Sequence, residues 1–216
     1  SELWSLYGQN YIDALLATWG MTLESFAIAM VLAVAVTVMR VSPLKPLRVF
    51  GDLYVQVFRN IPGIALLIIV VYALPPLKIV LPYRTCVIVA TVLLGSAFGS
   101  ENFMSGINTV GVGQVEAARS LGMSFSRILA KIVIPQALRS SVLPMTNLFI
   151  AVMLTTALGS QVPLQPQELT GVVSYINTRS LGGVAAFFIS ALGYLGTAFV
   201  VSHIGNYIDK KVRILR

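Results

Sequence analysis

The chain has 216 residues, of which 56% are hydrophobic and only 11% charged, and its mean hydropathy is +0.85. Soluble domains carry about a quarter of their residues as charges, so a soluble globular fold is excluded. Lys and Arg outnumber Asp and Glu 15 to 8, a formal net charge of +7, which suits either nucleic acid or an anionic membrane surface until the charges are placed. The lone Cys86 excludes an internal disulfide and every CxxC motif, and the lone His203 argues against a metal cluster.

Taken in chain order, the N-terminus holds Glu2 and Asp13 and no basic residue before Arg40. It lacks the cationic region of a cleavable signal peptide, so membrane insertion is expected to rest on the spans themselves. The first apolar stretch, 14–39, is long enough to cross a hydrocarbon core of about 30 Å with some tilt. A basic, proline-broken segment from Arg40 to Arg48 follows. The second span is predicted over 53–74 and stopped by Pro75-Pro76; its wholly apolar part, Ile64 to Leu74, is too short to cross alone, so the helix takes in Arg59, Asn60 and Pro62. The third, 85–103, grows polar through Gly99-Ser100-Glu101-Asn102. A polar connection over 108–141 leads to the fourth span, 142–158. A Pro-, Gln- and Gly-rich connection over 159–183 then leads to the fifth, 184–204, which ends in Asn206, Tyr207 and a basic tail. The expectation is one domain, 1–216: an all-α membrane protein of about five transmembrane helices. No internal repeat is visible, which weakens an inverted-repeat transporter.

With the N-terminus outside, the inner segments hold Arg40, Lys45, Arg48 and Arg59, then Arg119, Arg127, Lys131 and Arg139, then Lys210, Lys211, Arg213 and Arg216. That is 12 of the 15 basic residues, leaving Lys78, Arg84 and Arg179 outside. The positive-inside rule selects this orientation, with the C-terminus cytoplasmic. Topology and anionic lipid then account for the net charge, and no nucleic-acid partner is needed.

The 108–141 connection carries the most specific pattern. Gln114 to Leu121 reads as a short helix with small alanines on one side and Gly122 as its left-handed stop. Ser124 can cap a second short helix through Lys131 that ends before Pro135. The 114–131 segment is thus expected to form a helix–turn–helix at the cytoplasmic surface, whose alanines let a cleft in another protein approach closely.

Here a resemblance enters. Glu116-Ala117-Ala118, three residues, Gly122, nine residues, then Ile132-Val133-Ile134-Pro135 resembles the EAA loop of bacterial ABC-importer permeases, EAA-x3-G-x9-I-x-L-P, with only the Leu changed, to Ile134. Further words resemble the polar-amino-acid branch of that family: Thr22-Leu23-Glu24-Ser25, Phe58-Arg59-Asn60-Ile61-Pro62, Ser105-Gly106-Ile107, Pro135-Gln136-Ala137-Leu138-Arg139 and Glu168-Leu169-Thr170. Met39 to Pro43 and Ser105 to Val110 are most similar to glutamate permeases of actinobacteria.

The resemblance implies a type I importer permease in the bacterial cytoplasmic (inner) membrane, importing polar amino acids, with glutamate or a relative as the expected substrate. It implies a dimer with a second permease subunit, two ATP-binding subunits docked through a coupling helix, and an extracytoplasmic amino-acid-binding protein. Glu116, Ala117, Ala118, Arg119, Gly122 and Pro135 would make the ATPase coupling. The chain has no GxxxxGK[ST] and no Gly-Lys dipeptide, so ATP and Mg are expected on the partner subunit, with no cofactor on this chain and no enzyme activity of its own. A permease for another small solute, such as an opine, and a non-transporting scaffold that docks an ATPase are the alternative readings.

Ionisable residues inside spans are functional candidates by default. Arg59 and Glu101 fall at comparable depth in the cytoplasmic half; they either pair near an inner gate or substrate path, or snorkel to the interface as anchors. Asn60 accompanies Arg59. Asn147, Thr155 and Thr156 on span four could hydrogen-bond an amino-acid zwitterion or simply join helices. Gly95-x3-Gly99 suits a dimer seam or packing within the chain. Glu24 is expected to face a neighbouring helix or water in the outer third, and His203 and Tyr207 to anchor an interface. Two departures from the family stand out, Met104 and Leu154, where it often carries charges. They point to a heterodimer, favoured over a homodimer, in which the partner permease holds more of the binding chemistry, or to a changed substrate.

Overall fold

The computed structural model describes residues 2–180 and 182–213; Arg216, counted above among the inner charges, lies outside them. Helix α1 (Glu2–Val41) is 40 residues long, about 60 Å at about 1.5 Å per residue and twice the hydrocarbon thickness. It begins well before the expected Ala14. The reason is tertiary: Tyr11 and Ala14 are buried against Leu169, Val172, Ile176 and Ala186, and the Tyr11 hydroxyl donates to the Ala186 carbonyl at 2.8 Å.

The second span is not one helix. Helix α2 (Lys45–Asn60) and helix α3 (Gly63–Ile68) are separated by Ile61-Pro62, and the chain bends by 103° there. Ile61 is extended at φ −95, ψ 128, as a residue before proline prefers, and Pro62 has no N–H to continue the helical ladder. Helix α3 runs on through a π-helical turn (Ile69–Ala73) and a 3-10 turn (Pro75–Leu77). The expected continuous helix over 53–74 is therefore replaced by an amphipathic α2 followed by a short apolar α3.

Helix α4 (Tyr83–Ile107) packs along α1 in the same direction. Ala29 lies beside Gly95 and Ala33 beside Gly99, where an added Cβ would come within 3.2 and 2.9 Å of the respective alanine Cβ. The Gly95-x3-Gly99 pair is thus consumed inside the chain rather than at a dimer seam. Small residues let two backbones approach where lipid supplies no hydrophobic drive between helices. Helix α5 (Val112–Ser120), α6 (Phe125–Ile128), a π-helical turn (Leu129–Val133) and α7 (Ile134–Ser140) fill the polar connection. The helix expected to end before Pro135 instead continues through it, because the wider turn just ahead places Pro135 in the first turn of α7, where its missing N–H is harmless.

Helix α8 (Val142–Thr155), extended by a 3-10 turn (Thr156–Gln161), runs antiparallel to α4, with Leu148 near Gly99 and Val152 near Gly95. After α9 (Gly171–Asn177), the long α10 (Gly183–Val212) returns parallel to α1, with Trp19 Nε1 donating to Thr197 Oγ1 at 2.9 Å. A Cβ at Gly205 would overlap Thr146, so the inner halves of α10 and α8 touch. Among the described residues four helices are long and apolar enough to cross a membrane, or five if the bent α2–α3 pair is one span. The directions alternate so that the C-terminal ends of α1, α4 and α10 and all of α5–α7 gather at one end with most of the basic residues.

Candidate functional site: docking hairpin, charged cluster and groove

The basic end carries a hairpin whose shape is set by local backbone chemistry. Helix α5 ends in a Schellman motif: Met123 N–H donates to the Ala118 carbonyl at 3.1 Å and Gly122 N–H to the Arg119 carbonyl at 2.9 Å. Gly122 has φ +77 and open space around it, so glycine is needed there for conformation and not for room. Ser124 then caps α6, its hydroxyl accepting from Arg127 N–H at 3.3 Å. The hairpin has its own apolar centre of Ala118, Ile128 and Val133, and Gln136 of α7 donates to Gln114 Oε1 at 2.6 Å, pinning the start of α5.

This divides the alanine pair. Ala118 is 3% exposed and faces the hairpin's own core, whereas Glu116, Ala117 and Arg119 are exposed. The expected surface of both alanines is therefore one alanine wide, flanked by Leu121, which is 83% exposed. Pro135 is half-buried at the hairpin's base.

On the membrane side of the hairpin, four charged side chains meet. Arg40 Nη2 lies 2.7 Å from Glu101 Oε1, and its Nε lies 3.0 Å from Asp52 Oδ1; its Nη1 also donates to Ser100 Oγ at 3.1 Å. Arg59 Nη1 reaches the other Glu101 oxygen at 3.5 Å and its guanidinium lies 5.7 Å from the Phe98 ring centre. Arg59 and Glu101 thus come together, but Arg40 makes the shorter contact and is the hub. Its side chain is 11% exposed against 38% for Arg59. Gly51 makes room for it, since a Cβ there would sit 2.7 Å from Arg40 Cγ. The sequence offers a topological reason for Arg40 and none for Asp52; the one local signal is a Glu101 in an apolar span, for which Arg40 competes with Arg59 as partner. Asn60 closes α2, donating to the Gln56 carbonyl at 2.6 Å.

Two large grooves flank the bundle. One, of about 640 Å³ between α1, α8 and α10, is walled mainly by apolar side chains such as Phe26, Met30, Met145 and Phe149. The other, of about 600 Å³, is more polar and is lined by Gly63, Leu154, Thr155, Gln161 and Thr170 among others. Thr155 belongs to this groove, its hydroxyl donating to the Ala151 carbonyl at 2.7 Å. Thr156 does not: it is fully buried and donates to the Met153 carbonyl at 2.5 Å. Asn147 is exposed two turns earlier on the Leu154 side of α8. Leu154, where a charge was expected, is exposed on the groove. In the other half of the bundle, Glu24 is held by both guanidinium N–H groups of Arg84 at 2.8 Å each, so it faces a neighbouring helix as expected.

The described residues thus form a helical membrane bundle with an exposed hairpin at its basic end and, on one flank, a groove that Thr155, Ser160, Gln161 and Thr170 share with apolar side chains. The chain belongs to the family described as the inner membrane component of binding-protein-dependent transport systems, whose profile matches residues 25–214. It is 33% identical to a glutamate transport system permease protein, GluC, of Corynebacterium efficiens over 207 residues, covering 90% of each chain. It is 30% identical to the L-cystine transport system permease protein TcyB of Bacillus subtilis, covering 97% of this chain and 91% of that one. Among solved structures it matches an amino acid ABC transporter with histidines at a TM-score of 0.87 and 25% identity, covering 96% of both chains. The methionine transporter MetNI, at 0.76 and 19%, shares the fold. The chain is accordingly a multi-pass inner-membrane permease subunit of an ABC transporter. It works with separate ATPase and binding-protein partners and is not itself the ATPase.

Proposed function

We propose that this chain forms the translocation path of an ATP-driven importer of polar amino acids, glutamate and its close relatives first among them. The basic end is cytoplasmic and the N-terminus outside, since ten of the inner cations assigned above fall on the described hairpin and helix ends beside it. The single observation that carries the reading is the exposed face of α5: Glu116, Ala117, Arg119 and Leu121 stand outward on a hairpin locked by Gly122, a shape suited to a cleft in a moving partner. ATP and Mg act on that partner; no cofactor is assigned to this chain.

In the mechanism, closure of two ATPase subunits drives two such hairpins together, and the spans rock between inward- and outward-facing states. The Arg40–Asp52–Glu101–Arg59 cluster joins α1, α2 and α4 just above the hairpin, so it carries that push into the bend at Pro62 that borders the groove. Thr155 is the groove-wall group among the proposed path residues, and Arg59, Asn60 and Asn147 would extend the path beyond that wall. Because Met104 and Leu154 leave the half poor in charge, a second, more polar permease completes the path as a heterodimer.

The test is uptake by proteoliposomes holding this chain, its companion permease and ATPase, supplied with the binding protein and labelled glutamate, glutamine, octopine or leucine. Saturable ATP-dependent uptake of a polar amino acid supports the reading; ATPase docking with no uptake of any of them favours the scaffold alternative. The exposed Leu154 on the groove favours a less polar solute as the second reading, and a preference for labelled leucine over glutamate, glutamine and octopine would select it.

A further inference from the structure

Glu168 is 0% exposed, in the connection between the 3-10 turn ending at Gln161 and helix α9. Burial pushes its carboxyl above the ordinary carboxylate range, and the hydrogen bonds it accepts pull the other way. Its Oε1 accepts from Gly171 N–H at 2.5 Å, and its Oε2 from Thr170 N–H at 2.7 Å and from the Tyr194 hydroxyl at 3.2 Å. The Tyr194 hydroxyl is also 2.8 Å from Thr170 Oγ1. The neighbouring Leu169 N–H donates to Thr18 Oγ1 of α1 at 3.1 Å.

Two glycines shape the space for this side chain: a Cβ at Gly159 would lie 3.0 Å from Glu168 Cγ, and one at Gly171 2.8 Å from Oε1. Each carboxyl oxygen meets a backbone N–H, so the site requires an acceptor at both. An amide would turn its NH2 toward one of those N–H groups and leave a buried donor unpaired. A buried acid fitted this closely, far from the charged cluster, has a use other than local charge balance. Its partners supply it. Gln161 and Thr170 line the polar groove, Thr18 is on α1, and Tyr194 is on α10, which buries only Ala186, Ser190 and Gly205 among its described residues.

We propose that Glu168 is a positioning residue for transport, fastening the outer wall of the groove from Gln161 to Thr170 to the last span through Tyr194, beside the Leu169–Thr18 bond to the first span, so that wall and helices move as one. The proposal rests on the importer reading above. Tyr194→Phe cuts the link to α10 and leaves both backbone bonds to the carboxylate in place; Glu168→Gln disturbs the whole node.

The experiment compares the wild-type transporter complex with these two variants in proteoliposomes, measuring solute taken up per ATP hydrolysed, basal ATPase and melting temperature. The expected result is an uptake-to-ATP ratio lower by about threefold in Tyr194→Phe and by about tenfold in Glu168→Gln. In Tyr194→Phe, basal ATPase and melting temperature stay at the wild-type values. In parallel, spin labels at Gln161→Cys and Leu192→Cys, in a Cys86→Ser background, are expected to give one narrow distance peak that broadens when Tyr194→Phe is added. An unchanged ratio with an unchanged peak overturns the proposal, as does a parallel fall of ratio, ATPase and melting temperature. A wild-type complex that takes up no solute overturns the importer reading instead, and the spin-label pair still decides the tie.

Discussion

The α5–α6 hairpin and the Arg40 cluster lie close together at the basic end and are built in opposite ways. The hairpin owes its shape to neighbours in sequence: a Schellman stop at Gly122, a Ser124 cap three residues from its donor, and a core drawn from 107–133. The Arg40 cluster joins side chains 12 and about 60 positions apart and exists only when α1, α2 and α4 have packed. The first can keep its form while being pushed from outside, and the second registers how three helices sit. A coupling device needs both properties.

The sharpest way to break this contrast is Gly122→Val. The left-handed backbone costs a β-branched residue roughly 1–2 kcal/mol or more, and here that strain is confined to an exposed turn. Transport and co-purification with the ATPase are expected to fall by more than about tenfold, while the melting temperature of the spans holds. Retained ATPase binding and uptake would remove the docking role from the hairpin.

Arg40→Met should have the next largest effect, on stability rather than docking. It removes a short contact to the half-exposed Glu101 and one to the exposed Asp52, at a cost of about 1.5 kcal/mol. Arg59→Met should cost under about 1 kcal/mol, because its contact is longer and more exposed. Thermal unfolding of the two variants in detergent checks the ranking, and equal losses would demote Arg40 from hub to participant. A charge swap, Arg59→Glu with Glu101→Arg, is expected not to restore the single losses, since residue 101 must also face Arg40.

On the groove, Thr155→Val is expected to raise the half-saturating solute concentration by about threefold with stability unchanged. Thr156→Val should do the reverse, losing about 1 kcal/mol of stability and no affinity. Uptake curves and melting curves for the pair distinguish a wall residue from a buried one. Smallest of all is Glu24→Gln, whose loss of the exposed Arg84 pair should cost under about 1 kcal/mol, less at high salt.

Much of this was legible in the linear chain. Apolar run lengths announced the spans, and Gly122 and Ser124 marked the hairpin turn, because their signals are local backbone preferences. The break at Pro62 was misread because a short apolar run has to be lengthened to cross a membrane on paper, whereas the folded chain can turn by 103° and lay an amphipathic helix beside its neighbours instead. Thr155 and Thr156 look alike in sequence, yet a rotation of about 100° per residue sends one to the groove and one to the core. Arg40 was hidden for a related reason: a cation at the end of a span has a sufficient explanation in topology, and nothing local shows that it turns inward.

The sequence by itself determined that this is a membrane protein, how its spans alternate, where its net charge of +7 is concentrated and which segment is proposed to meet the ATPase, since hydropathy, charge placement and turn chemistry act over a few residues. Only the tertiary structure decided that α1 extends to twice the hydrocarbon thickness, that Arg40 rather than Arg59 centres the charged cluster, and that a buried Glu168 joins the outer connection to α10 beside the Leu169–Thr18 bond to α1. Those features depend on partners from 12 to 175 residues away on other helices, and no short-range preference encodes which distant side chain will stand opposite.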